Sequence, residues 1–468
     1  MTLQAIKKRL LDLAIHGSLV PQIESEGTAD DILQAIAKEQ KTKTSFSEIP
    51  ESEQPFSIPS SWKWVRLGEI GKWGSGSTPD RTNPNYYNGN IIWIKTGELN
   101  NSIVYDSEEK ISDEALQKGS FKINKVGDVM IAMYGATIGK LGIAGKEMVT
   151  NQACCGCSLY GEINNKYLFY FLMASKETFI KMGAGGAQPN ISRTKIVAYP
   201  FPLPPLGEQK RIVEKLDEVM KALDEIEQGR KNIEALKATL RNKALQLAIE
   251  GKLVEQRAEE GDARTLLDEI KTEKAQLIAE KKIKKDKPLA PISDSEIPFD
   301  IPDNWVWVRL GEVFMHNNGK QLNSSNKSGM LMDYITTSNL YWGYFILDNL
   351  KQMPFKDSEI ERCQAIKGDL LVCEGGDVGR ACIWNYDFPI MLQNHIHKLR
   401  SFIPVETHFF YYIFYHYNKT GRIGGKGIGI KGFSSNALHN TPIPLPPLAE
   451  QKRIVEKLDE VMTEIDKL

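Results

Sequence analysis

One segment of the chain occurs twice with almost no change. PLPPLGEQKRIVEKLDEVM, which runs from Pro202 to Met220, recurs as PLPPLAEQKRIVEKLDEVM from Pro444 to Met462. A weaker pair relates the start of the chain to its middle, because RLLDLAIHGSLV from Arg9 to Val20 echoes KALQLAIEGKLV from Lys243 to Val254. Chance does not produce a match as long and as close as the first pair. The chain therefore contains an internal repeat whose copies must fold alike.

The stretch from Leu206 to Gly251 predicts one long helix. Pro204 and Pro205 precede it, and Gly251 fits a C-terminal cap. Its apolar residues step by four and three, as in a coiled coil, and then continue on a seven-residue spacing. The predicted seam consists of Ile212, Leu216, Val219, Leu223, Ile226, Ile233, Leu240 and Leu247, and in the terminal copy of Ile454, Leu458 and Val461.

A helix of this length, roughly 60 Å at about 1.5 Å per residue, cannot bury its apolar stripe alone. The first helix of the chain resembles the C-terminal part of this long helix, and the last helix of the chain repeats its N-terminal part. Joined head to tail, the first and last helices would therefore form a second rod of the same kind. Two such rods lying antiparallel would bury both stripes and create an approximate internal two-fold axis. This arrangement requires the two termini to lie side by side.

A second repeat begins with IPSSWKWVRLGEI at Ile58 and IPDNWVWVRLGEV at Ile301, each typical of the first strand of a domain. Strand-like runs, glycine-rich loops and a helical run follow, and the loops differ far more than the frame. The sequence predicts a mixed α/β (α+β) fold, with two similar domains joined by long antiparallel coiled-coil helices in a pseudo-two-fold repeat. The expected segments are 1–58 (N-terminal helix and linker), 59–205 (first domain), 206–251 (central spacer helix), 252–300 (helical linker), 301–447 (second domain) and 448–468 (C-terminal spacer helix).

Charge gives only weak guidance on binding partners. The net charge is -1, but residues 59–205 contain 16 Lys and Arg against 12 Asp and Glu, and residues 301–447 contain 14 against 12. Binding of nucleic acid would require these cations to gather on one face. The absence of a signal-peptide pattern and of any apolar run long enough to span a membrane predicts an intracellular protein.

Motifs for catalysis and metal binding are incomplete. GATIGK at Gly135 lacks the spacing of a phosphate-binding loop, and NPNY at Asn83 has Asn85 where adenine methyltransferases have a second proline. Cys154 and Cys157 form a CxxC pair without a second pair, so buried structural thiols are favoured over a metal site. We therefore expect no catalytic, cofactor-binding or metal-binding residues in this chain. A fused enzyme that has lost its catalytic part is disfavoured for the same reason.

DNA binding is the favoured hypothesis. Lys140 and Arg380 occupy equivalent positions beside Gly139 and Gly379, where backbone amides could also approach phosphate. Cations, amides and hydroxyls that could reach phosphates or base edges lie in neighbouring loops. The candidate DNA-contact residues are Lys140, Gln152, Gln188, Asn190, Arg193 and Lys195 in the first domain, and Arg380, Asn394, His395, Lys426, Lys431 and Ser434 in the second. Ordinary surface solvation explains any one of them equally well, so the hypothesis depends on their clustering in variable loops.

These motifs carry a family resemblance. The two PLPPLxEQKRIVEKLDEVM segments, the paired WxWVRLGE strands and the NQA run at Asn151 resemble the specificity subunit of type I restriction-modification systems over essentially the whole chain. The resemblance implies two target-recognition domains, each reading one half of a bipartite site in double-stranded DNA, with the antiparallel helices acting as a ruler. It also implies two methyltransferase (modification) subunits that carry S-adenosylmethionine, and two restriction subunits that use ATP and magnesium. The resemblance implies a location in the cytoplasm of a prokaryote, with no membrane association.

The helix before the first domain departs from the family pattern and fits a circularly arranged version of it. One alternative stays open from the residues alone. The chain could be a protein-binding scaffold that presents two variable domains on a coiled coil, although the mildly positive domains argue weakly against this.

Overall fold

The computed structural model describes residues 2–39, 46, 48–183, 189–285, 288–322, 328–423 and 433–468. Its α-helices are α1 (Leu3–Ile15), α2 (Ala29–Glu39), α3 (Asp113–Lys118), α4 (Asn165–Ala174), α5 (Lys176–Gly183), α6 (Arg193–Val197), α7 (Leu206–Ile249), α8 (Ala263–Ala279), α9 (Leu310–Val313), α10 (Asp357–Cys363), α11 (Thr407–Lys419), α12 (Ser435–His439) and α13 (Leu448–Lys467). Its strands are β1 (Lys63–Arg66), β2 (Gly71–Ser75), β3 (Ile91–Ile94), β4 (Ser102–Val104), β5 (Lys110–Ile111), β6 (Val129–Ala132), β7 (Leu141–Ala144), β8 (Val149–Thr150), β9 (Cys154–Leu159), β10 (Pro200–Leu203), β11 (Val306–Arg309), β12 (Phe314–Asn318), β13 (Met330–Ile335), β14 (Leu340–Tyr341), β15 (Tyr344–Phe345), β16 (Lys351–Phe355), β17 (Gln364–Ala365), β18 (Leu370–Cys373), β19 (Ala381–Ile383), β20 (Ile390–Leu392), β21 (Ile396–Ser401) and β22 (Pro442–Leu445).

The chain divides into two compact units, Met1–Arg230 (unit 1) and Lys231–Leu468 (unit 2), and the boundary falls inside α7. This helix begins at Leu206, directly after Pro205, and the predicted long helix is confirmed. It ends just before Gly251, which has a φ of 67°. Glycine is favoured in this left-handed region because a Cβ would be strained there.

The sheets of the two units share a frame. Among the described residues, unit 1 has a five-stranded sheet in the order β2-β9-β6-β7-β4, and unit 2 has a four-stranded sheet in the order β12-β21-β18-β19. The four shared strands follow the same chain order and pair antiparallel. Each domain also has a second sheet, with the order β5-β3-β8 in unit 1 and β16-β13-β20-β17 in unit 2. A two-stranded pair completes each domain, β1-β10 in unit 1 and β11-β22 in unit 2, and unit 2 has an additional hairpin, β14-β15. The predicted mixed α/β fold with an internal repeat is confirmed.

In unit 1, α1 runs antiparallel to the front of α7. Lys7 of α1 bonds Asp224, well along α7, at 2.6 Å. Arg211, near the start of α7, makes two hydrogen bonds to the carboxylate of Glu26, which follows α1 in the chain. As residue numbers increase from Lys7 to Glu26, those of their partners on α7 decrease from Asp224 to Arg211, so the two segments run in opposite directions.

In unit 2, α13 makes the equivalent contacts with the rear of α7. Asp466, near the end of α13, bonds Arg241 of α7. Arg453, near the start of α13, bonds Glu260, which follows α7, at 2.5 Å. The same antiparallel pairing is thus built twice from the repeated segments. Contact between the two chain termini stays a prediction.

The predicted seam is buried only in part. Its buried residues are Ile212, Leu216, Leu223, Ile454 and Leu458, while Val219, Leu247 and Val461 are half-buried. Ile226, Ile233 and Leu240 are exposed by 52, 45 and 38%. At the rear of α7 the buried residues are Ala244, Leu245, Ala248 and Ile249, which share one hydrophobic cluster with α8 and α11. Packing within unit 2, and not the seven-residue spacing, therefore determines which face of α7 is buried at its C-terminal end.

The head of α7 holds a buried carboxylate. Glu208 is only 1% exposed, and it accepts hydrogen bonds from Nε1 of Trp62 at 2.8 Å and from Nε2 of Gln22 at 2.5 Å. Burial raises the pKa of Glu208. The adjacent Gln209 donates to the carbonyl of Pro204 and accepts from the backbone of Asn164, both at 2.9 Å. These contacts join the linker, the first strand region and the domain to the spacer helix.

The terminal copy of the motif repeats this arrangement in unit 2. Glu450 is fully buried and accepts from Nε1 of Trp305 at 2.9 Å and from Nε2 of Gln256 at 2.6 Å. Gln451 donates to Pro446 and accepts from the backbone of Glu406. Trp62 and Trp305 are buried, and their ring N–H groups explain why each repeated motif carries a glutamate at this position.

Replacing Glu208 by alanine should destabilise unit 1. The buried indole N–H of Trp62 would lose its acceptor inside the protein, and the amide of Gln22 would keep only the carbonyl of Gly17. Leaving a buried donor without a partner typically costs about 1–3 kcal/mol of unfolding free energy. Denaturant unfolding, with hydrogen exchange to localise the effect, measures the change. Glu225→Ala is the control, because the Glu225 side chain is 70% exposed and its contact with Lys221 is 3.9 Å long. Equal stability of the two variants would contradict this account.

Candidate nucleic-acid interface

Three loops of unit 1 meet beside the end of β6. Met133 donates its backbone N–H to Ala153 at 2.8 Å, and Ile191 donates to Met133 at 2.9 Å. The loops at 133–140, 151–153 and 189–195 therefore lie together at one end of the sheet, and we call them the first rim. Residues far apart in the chain are thus presented on one surface.

Unit 2 builds the same arrangement beside the end of β18. Glu374 donates its backbone N–H to His395, and Phe433 donates to Glu374, both at 2.9 Å. The loops at 374–380, 393–395 and 433–434 form the second rim. The two rims occupy equivalent ends of equivalent sheets.

Each rim contains a glycine turn followed by a cation. Gly139 and Gly379 have φ of 77° and 80°, and each donates its N–H at 3.0 Å to the last residue of the preceding strand. Lys140 and Arg380 follow these glycines. The predicted equivalence of the two loop positions is confirmed.

The side chains at these equivalent positions have different surroundings. Lys140 is half-buried. The Arg380 side chain is only 16% exposed, donates to the carbonyl of Thr337 at 2.7 Å and lies 5.0 Å from the ring centre of Tyr341. Arg380 is therefore held by its own domain, and little of its guanidinium faces solvent.

A family model described as type I restriction modification DNA specificity domain matches the chain twice, at residues 59–235 and 302–467. These matches cover more than half of the chain and include both rims. The chain belongs to this specificity family.

Individual relatives agree with this assignment. The type I restriction enzyme EcoAI specificity subunit of Escherichia coli is 26% identical over the whole chain and 90% of its own length, and the EcoEI specificity subunit is 24% identical with the same coverage. A solved HsdS subunit from Thermoanaerobacter tengcongensis has a TM-score of 0.51 at 20% identity, over 89% of this chain and 93% of that one. A chain from a structural study of complex assembly and conformational transition in the type I R-M system has a TM-score of 0.58 at 21% identity, over 88 and 93%. At these identities the structures show a shared fold.

The rims of this family member bring several of the candidate DNA-contact residues together. Gln152, Asn190, Arg193 and Lys195 are exposed on the first rim, and His395 and Ser434 are exposed on the second, where Asn394 is half-buried. Gln188, Lys426 and Lys431 lie outside the described residues. No observation tests whether any of these side chains contacts DNA, so they stay predictions.

Some candidates also have structural roles. Ser434 accepts from the backbone N–H of Ala437 and caps α12, as Ser192 caps α6. The ammonium group of Lys195 donates to the carbonyl of Met182 at 2.7 Å. A serine before a short helical run is a capping signal that the sequence already contained.

The sequence did not indicate two exposed residues, one on the first rim and one beside it. Tyr134 is 44% exposed between the loops of the rim, and Arg81 is 54% exposed on the loop that bonds Gln152 through Thr78. Arg81 lies two residues before the aromatic NPNYY run at Asn83, which by itself suggests only an incomplete catalytic motif. Arginine beside aromatic residues in a polar loop is the signal that could have identified it.

The cysteines are buried, as predicted for Cys154 and Cys157. All six are buried with free thiols, and burial raises their pKa values. Cys155 and Cys157 belong to one hydrophobic cluster and Cys154 to another, since neighbouring strand residues alternate between faces. Within the described residues no group of three or more His, Cys, Asp and Glu is placed to hold a metal, and no helix is long and apolar enough to cross a membrane.

Unit 2 contains a buried histidine pair beneath the second rim. His397 donates from Nε2 to the carbonyl of Phe433 at 2.6 Å, so its Nδ1 accepts from Nε2 of His316 at 2.8 Å. Burial lowers the pKa of His316 to about 3 and also lowers the pKa of His397. The corresponding strand positions of unit 1 are Trp73 and Cys155. Only the second domain therefore has neutral histidines at this place.

Unit 2 should lose stability as the pH falls below about 6.5. Unfolded histidines bind protons there, whereas burial lowers the pKa values of His316 and His397 in the folded state, so each can reduce the unfolding free energy by up to about 1.4 kcal/mol per pH unit. Hydrogen exchange of β12 and β21, corrected for intrinsic rates, measures this, and β2 and β9 are the internal control. His316→Phe should reduce the slope in unit 2. Equal acid sensitivity of both strand pairs would contradict the explanation.

Proposed function

We propose that this chain is the DNA sequence-recognition subunit of a type I restriction-modification complex. The observation that carries the proposal is the pair of equivalent rims, which share a frame and differ in their side chains. Two domains built alike, with different loops at the same end of the sheet, suit the reading of two different half-sites. Membership of the specificity family supports the same function.

Each rim would read one half of a bipartite site in double-stranded DNA. Amide, hydroxyl and imidazole groups such as Gln152, Asn190 and His395 can bond base edges, and cations such as Arg193 and Lys195 can bond phosphates. The spacer helices would set the gap between the half-sites. If the two domains contact one face of the duplex, we expect the centres of the half-sites to lie about one helical turn, 34 to 36 Å, apart.

The chain would act without catalytic residues of its own. S-adenosylmethionine would be bound by methyltransferase subunits, and ATP and magnesium by restriction subunits. The repeated helix pairs offer two equivalent docking surfaces, which supports two copies of each partner. Localisation in the cytoplasm stays a prediction.

The direct test is to sequence the methylome of a host that expresses this chain together with the methyltransferase subunit encoded beside it. We expect a bipartite motif, methylated on adenine, with a fixed gap. Exchanging residues 59–205 for the same domain of another family member should change one half of the motif only. If an intact and bound methyltransferase adds no new motif, the proposal fails and the protein-binding scaffold is favoured.

Lengthening the spacer should lengthen the gap. Seven residues inserted into α7 after Arg230, in a stretch of mostly exposed residues, add roughly 10 Å of helix, which corresponds to about three base pairs at about 3.4 Å each. The methylome reports the new spacing, and seven substitutions without insertion in the same stretch serve as the control. A methylated motif with an unchanged gap would exclude the ruler role of α7.

A further inference from the structure

The loop at 76–83 lies against the first rim. Ser77 donates its backbone N–H to Thr150 at 3.0 Å, and the hydroxyl of Thr78 bonds the side-chain oxygen of Gln152. Arg81 follows three residues later in this loop. It therefore belongs to the same surface as the candidate base-contact residue Gln152.

Two aromatic rings support the guanidinium group of Arg81. Its carbon lies 4.4 Å from the ring centre of Tyr87 and 5.1 Å from that of Trp93. Both rings are bonded to the loop that carries Arg81: Tyr87 donates its hydroxyl to Pro79 at 2.7 Å, and Trp93 donates its indole N–H to Ser77 at 2.9 Å. The rings and the loop therefore position the guanidinium before any ligand arrives.

One end of the guanidinium is anchored and the other is available. Nη1 of Arg81 donates to Glu109 at 2.5 Å, and Glu109 also bonds Lys95 at 2.8 Å. Within the described part of the chain, Nε and Nη2 of Arg81 donate to no other group, and the side chain is 54% exposed. Two neighbouring N–H groups thus point away from the anchor in the fixed geometry of arginine.

The second domain shows that this exposure is not required by the fold. Lys320, on the corresponding loop after β12, also lies over an aromatic ring, 5.3 Å from that of Phe355, and also pairs with a carboxylate, Glu359, at 2.6 Å. Its side chain is only 9% exposed and donates in addition to the carbonyl of Pro354. Lys320 is enclosed as a structural cation, whereas Arg81 keeps an open side.

The charges around Arg81 favour a neutral ligand over a phosphate. Glu109 pairs with it directly, and the 81% exposed side chain of Glu108 lies 3.6 Å from Lys95 in the same cluster. These carboxylates would repel an approaching phosphate. The O6 and N7 atoms of guanine are neutral acceptors that match the two free N–H groups of arginine.

We propose that Arg81 is a specificity-determining residue of the first domain and reads a guanine in its half-site through the major groove. This proposal rests on the proposed function and assigns a base to one residue of it. The aromatic support reduces the conformational freedom that the side chain would lose on binding. Arg380 of the second domain lacks such an exposed guanidinium, because its side chain is only 16% exposed.

The test uses the complete methyltransferase complex and compares the methylomes of Arg81→Gln, Arg81→Lys and the wild type. Both variants should accept other bases at one G·C position of the first half-site, with discrimination reduced on the order of 10-fold or more. Lysine keeps the charge and can keep the contact with Glu109. The Arg81→Lys variant therefore tests specifically the loss of the bidentate hydrogen bond to O6 and N7 of guanine. Arg264→Gln is the matched control, because Arg264 is 59% exposed and ion-paired to Asp262 at 2.7 Å, outside both rims.

The outcomes separate this proposal from the function on which it rests. Exchange of residues 59–205 identifies the first half-site, and thermal unfolding verifies that each variant is folded. An unchanged motif, weaker methylation of an unchanged motif, or a change in the second half-site would overturn the role of Arg81 while leaving the recognition function intact. A wild-type complex that produces no bipartite motif would remove both.

Discussion

The structure depends on a buried carboxylate at the head of each spacer helix. Glu208 and Glu450 would be strongly destabilising in the core without partners. Each is satisfied by an indole N–H and a glutamine amide that come from the linker and the start of the domain. The spacer helix, the linker and the domain are therefore held in a fixed geometry within each unit. The position of the rim relative to its spacer helix is fixed by the same contacts.

Within this frame, the two domains satisfy the same requirement with different residues. A buried aspartate follows the same glycine in both, and in unit 1 Asp128 is paired with Lys122 at 2.7 Å. In unit 2 the equivalent Asp369 is paired with Arg400, from another part of the chain, at 2.6 Å. The fold thus tolerates a change of partner, provided that the charge is compensated. This tolerance is what a recognition scaffold needs, because its rims can vary while the sheet beneath them remains.

Much of the fold and part of the site could be predicted from the sequence. The long helix, the first strands and the equivalence of Lys140 and Arg380 all follow from local signals that are repeated in the chain. The sequence did not indicate that Arg380 is enclosed by Thr337 and Tyr341, since those contacts join residues about 40 positions apart. It also gave no measure of the exposure of Arg81, whose surroundings come from several separate segments.

The sequence by itself determined the internal repeat, the limits of the spacer helix and the family. Periodicity, prolines and a terminal glycine determine local structure within a few residues, so they can be recognised in the sequence without a structure. Only the tertiary structure decided which face α7 buries at its rear, which cations are enclosed and which are presented on the rims. Burial and hydrogen bonding at those places depend on partners brought together from distant parts of the chain, and no local pattern encodes that proximity.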